Sequence, residues 1–219
     1  MELETARNEV IAAGKRLAAN GLIIGSSGNL SVREGDRVVV TPSGMALDAV
    51  QPEDLAVIDM DGNWLTGQRK PTSEVQLHLA IYQHSPEACA ITHTHAVGST
   101  AVSCTCSVLP PIHYTNLYLG GAVHVAKYAT YGSKQLAENV VTALAKGTSA
   151  ALMANHGSIA YGNTMAQACE RLELLEWLCD VYRACIPLGQ PRVLTPEELT
   201  DVMRMYRSDR YASGPQQAN

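Results

Sequence analysis

The segment AITHTH, residues 90–95, places two histidines one residue apart at the end of an apolar, β-prone run. Residues i and i+2 share a face on an extended strand, whereas on a helix they diverge. A strand over residues 88–95 therefore turns His93 and His95 the same way, with Cα atoms about 6.5–7 Å apart. From there two imidazoles can converge on one cation, or simply pack as a structural pair.

Periodicity elsewhere predicts one α/β domain with a mixed sheet. Apolar residues at helical spacing over residues 4–20 stop at Asn20-Gly21. Two hairpins follow: NLSV and RVVVT flank Glu34-Gly35-Asp36, then LAVIDM and WLTG flank Asp61-Gly62-Asn63. The stretch PTSEVQLHLAIYQHSP predicts a helix with Thr72 or Ser73 as N-cap and Glu74 in its first turn. After the H-x-H strand come a small-residue helix over AVGSTAVSCTCS and an irregular region with short strands. A helix over SKQLAENVVTALAKG and a strand over TSAALMANHG ending in a turn precede two long C-terminal helices. The last of these has Thr195 as N-cap and Pro196 at its first position. Those helices argue against an all-β jelly roll. No repeat or linker divides residues 1–207, and the polar tail, residues 208–219, is expected to be flexible.

Composition narrows the function classes. Of 219 residues, 46% are hydrophobic and 17% charged, as in a globular chain. A net charge of −5 without any Lys/Arg block disfavours a nucleic-acid partner. No apolar run approaches the roughly 18 residues of a membrane span, and the polar, acidic N-terminus does not resemble a secretory signal. The six cysteines form no C-x-x-C pair and are expected to be buried, reduced thiols, consistent with a cytoplasmic chain.

Two further residues extend the histidine pair. His156, in LMANHGSIA, follows a strand-like run and precedes glycine, a junction where sites are built but where a histidine can also only meet water. Glu74 could simply complement its helix dipole. Together, three imidazoles and one carboxylate suit a catalytic Zn2+ with an open position, and a carboxylate that leaves the ion can act as a base. Other H-x-H architectures fit poorly. A cupin places its Glu after the pair and is all-β; metallo-β-lactamase sites want H-x-H-x-D-H, and HTHAVG has no Asp; an amidohydrolase barrel is longer than this chain.

The order Glu74, His93-Thr94-His95, His156 resembles the class II aldolase/adducin family, and within it the fuculose-phosphate aldolase branch. GSSGNLSVR, TPSGM, KPTSEVQLHLAIY, PPIHYTNLYLGG, KYATYGS and MANHG are similar to family segments in the same order, from about residue 5 to residue 207. The resemblance implies a mixed, mostly antiparallel central sheet flanked by helices. It also implies a homotetramer with active sites between subunits, and His93, His95, His156 and Glu74 around Zn2+, with Mn2+ or Co2+ as alternatives. The implied substrate is a small phosphorylated sugar. A ketose 1-phosphate is cleaved to dihydroxyacetone phosphate and an aldehyde, with Glu74 moving the proton.

Tyr114 matches a tyrosine that family members supply from a neighbouring subunit. Tyr206 and Tyr211 both stand near the place of a C-terminal tyrosine, and Tyr131 replaces a common Phe. For the phosphate, the small loops offer N–H groups of Gly28 and Gly44, hydroxyls of Ser26, Ser43, Thr72 and Ser73, and the Asn29 amide. No nucleotide P-loop is present. His78 either orients Glu74 or packs, and His84 is expected to cap its helix end. His113 and His124 either line the cleft or pack. The same family hosts a sugar-phosphate epimerase, a methylthioribulose-1-phosphate-type dehydratase, sugar-acid phosphate decarboxylases and the non-enzymatic adducin module, so the fold alone does not settle the reaction.

Overall fold

The computed structural model describes residues 3–207. Among the described residues, nine strands form a single sheet in the order β4-β3-β2-β1-β5-β9-β8-β7-β6. The strands are β1 (Asn29–Glu34), β2 (Arg37–Val40), β3 (Ala56–Asp59), β4 (Trp64–Thr66), β5 (Ala90–Thr94), β6 (Val108–Leu109), β7 (Val123–Ala126), β8 (Ala150–Met153) and β9 (Gly157–Gly162). Every neighbouring pair is antiparallel except β7 with β8. The sheet is therefore mixed and mostly antiparallel.

Strand alternation sends successive side chains to opposite faces, and each face is covered by helices. Leu30, Val32, Val39, Ala90 and Ala160 pack with α1 (Glu4–Ala19), α3 (Val97–Thr105) and α5 (Met165–Cys185). Val38, Val40, Ile91, Ile159 and Ala151 pack with α2 (Val75–His84) and α4 (Lys134–Leu144). Odd-numbered residues of β1 and β5 thus face α2, which puts Asn29, Ser31 and His93 on the side where Glu74 stands.

Both predicted hairpins form, and α6 (Pro196–Arg207) opens with a capping box. There the Glu198 N–H donates to Thr195 Oγ1 at 3.2 Å, and the Thr195 N–H donates to Glu198 Oε2 at 2.9 Å. Three expectations need correction. First, α2 begins at Val75 with Glu74 itself as N-cap, not Thr72 or Ser73. Residues 71–72 stay extended because Pro71 bridges Pro42 and the Thr72 N–H bonds Thr41 O at 3.0 Å. Second, β5 ends at Thr94, so His95 sits one residue past the strand. Third, β9 was not foreseen. Its sequence, GSIAYG, is entirely buried and has no alternation to read. Of the six cysteines, all free, Cys169 and Cys179 are buried while Cys104 is exposed. The tail over 208–219 lies outside the described residues.

Two glycines let the strands beside β5 approach it. Gly28 has φ +84°, and a Cβ there would stand 2.7 Å from the His93 carbonyl oxygen. A Cβ on Gly157 would overlap the Thr94 carbonyl oxygen and lie 3.2 Å from His95 Cδ2. Beyond β5, α3 has no cap of its own. Glu176 of α5 supplies one, accepting from the Gly98 N–H at 2.5 Å and the Ser99 N–H at 2.8 Å, which ties the chain just after His95 to α5. Among the described residues no helix is long and apolar enough to cross a membrane. Replacing Gly157 by Ala should cost about 1–3 kcal/mol of stability, the usual penalty for overpacking against backbone. Urea unfolding of the variant checks this, and a midpoint equal to wild type would contradict the close approach.

Candidate metal and sugar-phosphate site

Each member of the histidine cluster arrives from a different constraint. His93 is the fourth residue of β5 and fully buried. Its Nδ1 lies 2.8 Å from Ser158 O on β9. A carbonyl can only accept, so Nδ1 carries the proton and Nε2 turns a lone pair toward the cluster. His95 follows one residue beyond the strand. His156 sits in the β8–β9 turn next to Asn155, whose φ of +54° is one that asparagine tolerates. Glu74, the N-cap of α2, is 5% exposed and projects from the opposite layer.

The three rings stand with centroids 4.8–4.9 Å apart. His93 Nε2 is 3.0 Å from His95 Nε2 and 3.1 Å from Glu74 Oε2, and His156 Nε2 is 3.6 Å from Glu74 Oε1. Four ligand atoms, one from each residue, all lie within 4.8 Å of one another. Glu74 Oε1 is buried without a hydrogen-bond partner, an arrangement costly for a carboxylate unless something positive meets it. Three imidazole nitrogens and one carboxylate around such an atom fit a divalent ion.

For Glu74, His95 and His156 the electrostatics agree with that fit. Burial alone would raise the Glu74 carboxyl, but His93, His156 and the Asn29 amide outweigh it and hold it well below the usual range. Burial, then the neighbouring imidazoles, push His95 and His156 down to about 4. At neutral pH both are uncharged, the form that binds a metal. For His93 burial opposes the charge, but Glu74 and the Ser158 carbonyl win and raise it. His78, fully buried, is pushed down to about 3 by burial and then by His93.

The cluster opens into a cleft of about 340 Å3. Ser26, Gly28, Asn29, Ser43, Gly44, Thr72 and Ser73 all line it, with Glu74, His95 and His156 at its inner end. Gly44 has φ +71°, and Thr72 Oγ1 accepts from the Glu74 N–H at 3.3 Å. Tyr131 lines the rim. Tyr128 and Asn155 do as well, and sequence reasoning missed both: they stand inside KYATYGS and MANHG but carry no ligand or catalytic signal of their own.

Other expected residues lie elsewhere. Tyr114, at the start of a 3₁₀ turn over Tyr114–Leu119, is exposed and is not among the cleft-lining residues of its own chain. His113 caps that turn and packs against Trp177. His124 lies in a separate groove with Lys127 and Lys146. Tyr206 packs near Tyr118, with ring centroids 6.0 Å apart, and Tyr211 lies outside the described residues.

Fold and site together define a class II aldolase-type protein. Residues 8–183 match the Class II Aldolase and Adducin N-terminal domain, and the chain belongs to that family. It is 35% identical to the 5-methylthioribulose-1-phosphate/5-deoxyribulose-1-phosphate aldolase of Rhodospirillum rubrum over 92% of this chain and 91% of that one. It is 33% identical to the L-fuculose phosphate aldolase of Escherichia coli, over 95% and 97%. A solved L-fuculose 1-phosphate aldolase superposes with a TM-score of 0.89 at 35% identity, covering 94% of this chain and 98% of that one.

A pH dependence of stability follows from the imidazoles. Unfolded histidines titrate near ~6.5, while folded His95 and His156 titrate at about 4 and His78 at about 3. Between these values the unfolded chain binds more protons, so stability falls as pH drops from about 6.5 toward about 4. His93, raised in the fold, works the other way, one group against three. Urea midpoints of the metal-stripped protein across pH 4.5–7 should therefore fall on the acid side; a flat profile would contradict the assignment.

Proposed function

We propose that this protein is a metal-dependent lyase that cleaves a ketose 1-phosphate by a retro-aldol reaction, giving dihydroxyacetone phosphate and an aldehyde. The observation that supports the reading is one cleft in which a rim of glycines and hydroxyl side chains leads to one carboxylate beside three imidazoles. His93, His95, His156 and, at rest, Glu74 would hold the ion. Zn2+ is the choice this donor set favours, with Mn2+ or Co2+ of like charge as substitutes. Bound there, the ion supplies a Lewis acid that stabilises negative charge developing on the substrate's oxygens.

This chain's own residues do the rest. Gly28, Gly44, Ser26, Ser43, Thr72 and Ser73 bind the phosphate through backbone N–H groups and hydroxyls. Of these, Thr72 and Ser73 immediately precede α2, where the helix dipole favours an anion. Asn29 donates to Glu74 Oε2 at 2.9 Å and holds the carboxylate in place. When substrate occupies the cleft, Glu74 is freed to carry the proton to and from C3 of dihydroxyacetone phosphate. Tyr114, exposed and outside the cleft of its own chain, acts from a second copy as proton donor at the aldehyde oxygen, in a homotetramer whose sites lie between subunits. Tyr131 borders the aldehyde half, with its hydroxyl added to the aromatic wall.

L-Fuculose 1-phosphate and 5-deoxyribulose 1-phosphate are the first substrates to try, because relatives named for each match nearly the whole chain. Incubating Zn2+-loaded protein with each should release dihydroxyacetone phosphate, measured by a coupled reductase. Glu74→Gln should keep the fold and lower turnover about 100- to 10,000-fold, the usual share of a positioned acid–base group. Loss of water or CO2 without C–C cleavage between sugar carbons would move the protein to a dehydratase or decarboxylase. Near-normal turnover in Glu74→Gln would remove that residue from the chemistry.

A further inference from the structure

Behind the cleft, a buried line of polar side chains runs from the last turn of α2 back to Glu74. Tyr82 Oη is 2.7 Å from Ser31 Oγ, which is 2.7 Å from His78 Nδ1. His78 Nε2 is 2.5 Å from Asn29 Oδ1, and Asn29 Nδ2 is 2.9 Å from Glu74 Oε2. Ser31 and His78 are fully buried, and Tyr82, Asn29 and Glu74 nearly so. Around them the same face of the sheet is apolar: Leu77, Ile81 and Ile91. An apolar residue at 31 or 78 would suit that environment, so polar groups here are expensive unless each has its partner.

The chain has only one consistent direction. A carboxylate accepts and cannot donate, so the Asn29 nitrogen must face Glu74 and the Asn29 oxygen must face His78. His78 Nε2 then carries the proton, and in the neutral imidazole Nδ1 accepts. Its only donor is the Ser31 hydroxyl, whose oxygen is left to accept from Tyr82. Each donor points toward the next member, and the line ends on the carboxylate.

We infer that Ser31 and His78 are positioning residues. They lock the Asn29 amide with its nitrogen toward Glu74, so that one carboxylate oxygen is met by a neutral donor and the other is left for the ion. Without the Ser31 hydroxyl, His78 Nδ1 is buried with no donor, and that side of the ring is no longer held. A ring free to shift leaves the Asn29 amide, and with it Glu74, less firmly placed. This deepens the proposed role of Glu74 and rests on that reading for its effect on turnover. The direction of the line does not depend on it.

The experiment compares wild type, Ser31→Ala and Ser31→Thr. Each is labelled with 15N-histidine for two-bond nitrogen–proton correlation at pH 7, with His78 signals assigned by their loss in His78→Gln. Wild type should show His78 as the Nε2–H tautomer with a hydrogen-bonded Nδ1, and Ser31→Ala should keep that tautomer but move the Nδ1 resonance downfield, as an acceptor nitrogen that has lost its donor does. In Ser31→Ala, kcat for dihydroxyacetone phosphate release should fall about tenfold with KM changed by less than about twofold, and Ser31→Thr should recover most of it. An Nδ1–H tautomer in wild type would overturn the inference. So would a Ser31→Ala protein that melts lower but keeps kcat, since that marks a merely structural network. If wild type cleaves no ketose 1-phosphate, the proposed reaction fails; the His78 nitrogen shifts alone then decide whether Ser31 holds the ring.

Discussion

Backbone contact at the end of β5 is the constraint on which the site depends. Gly28 approaches the His93 carbonyl from one side and Gly157 the Thr94 carbonyl from the other, and neither position has room for a Cβ. Because both neighbours come that close, β1 and β9 pair with β5 through to its last residues, Asn29 opposite His93 and Ser158 opposite Thr94. Sheet hydrogen bonds thereby fix three segments that are far apart in sequence. The rings that must converge within an ångström or so are carried on backbone that cannot drift.

That rigidity is needed because the arrangement is unfavourable by itself. Three imidazoles and a carboxylate are removed from water, and Glu74 Oε1 has no hydrogen-bond partner. The surrounding layers offset the cost: two apolar clusters, one on each face of the sheet, hold the strands between α1, α3 and α5 on one side and α2 and α4 on the other. A divalent ion would supply the charge that Oε1 lacks, which links metal binding to stability as well as to chemistry. The mouth of the same cleft is built differently, from turn glycines and hydroxyls, so under the proposed reaction the reactive end of a substrate and its phosphate would meet separate devices.

Some of this was legible in the chain and some was not. H-x-H after a β-prone run is a period-2 signal, and it located His93 and His95 although the strand itself ends at Thr94. The hairpin turns and the Thr195 cap carry local chemistry that residues within four positions determine. β9 lacked such a signal. Its glycines and small residues are weak strand formers, and it exists because β5 and β8 flank it and because Gly157 admits the Thr94 carbonyl. The start of α2 was misplaced for a similar reason: Thr72 has capping chemistry, but its N–H is already engaged by Thr41, 31 positions earlier. Nothing in the sequence around Ser31 and Tyr82 marks them as partners of a histidine. Only the pairing of β1 against α2 shows that both lead to His78.

The claim at the centre of this account is that Glu74, His93, His95 and His156 share one ion. Visible absorption during titration with Co2+ tests it most directly, because ligand-field bands report the donors as well as the stoichiometry. The account predicts saturation at one ion per chain with a low-symmetry nitrogen–oxygen spectrum, and loss of those bands in His95→Ala. A spectrum that stays that of the aqueous ion, or one that His95→Ala leaves unchanged, would contradict it.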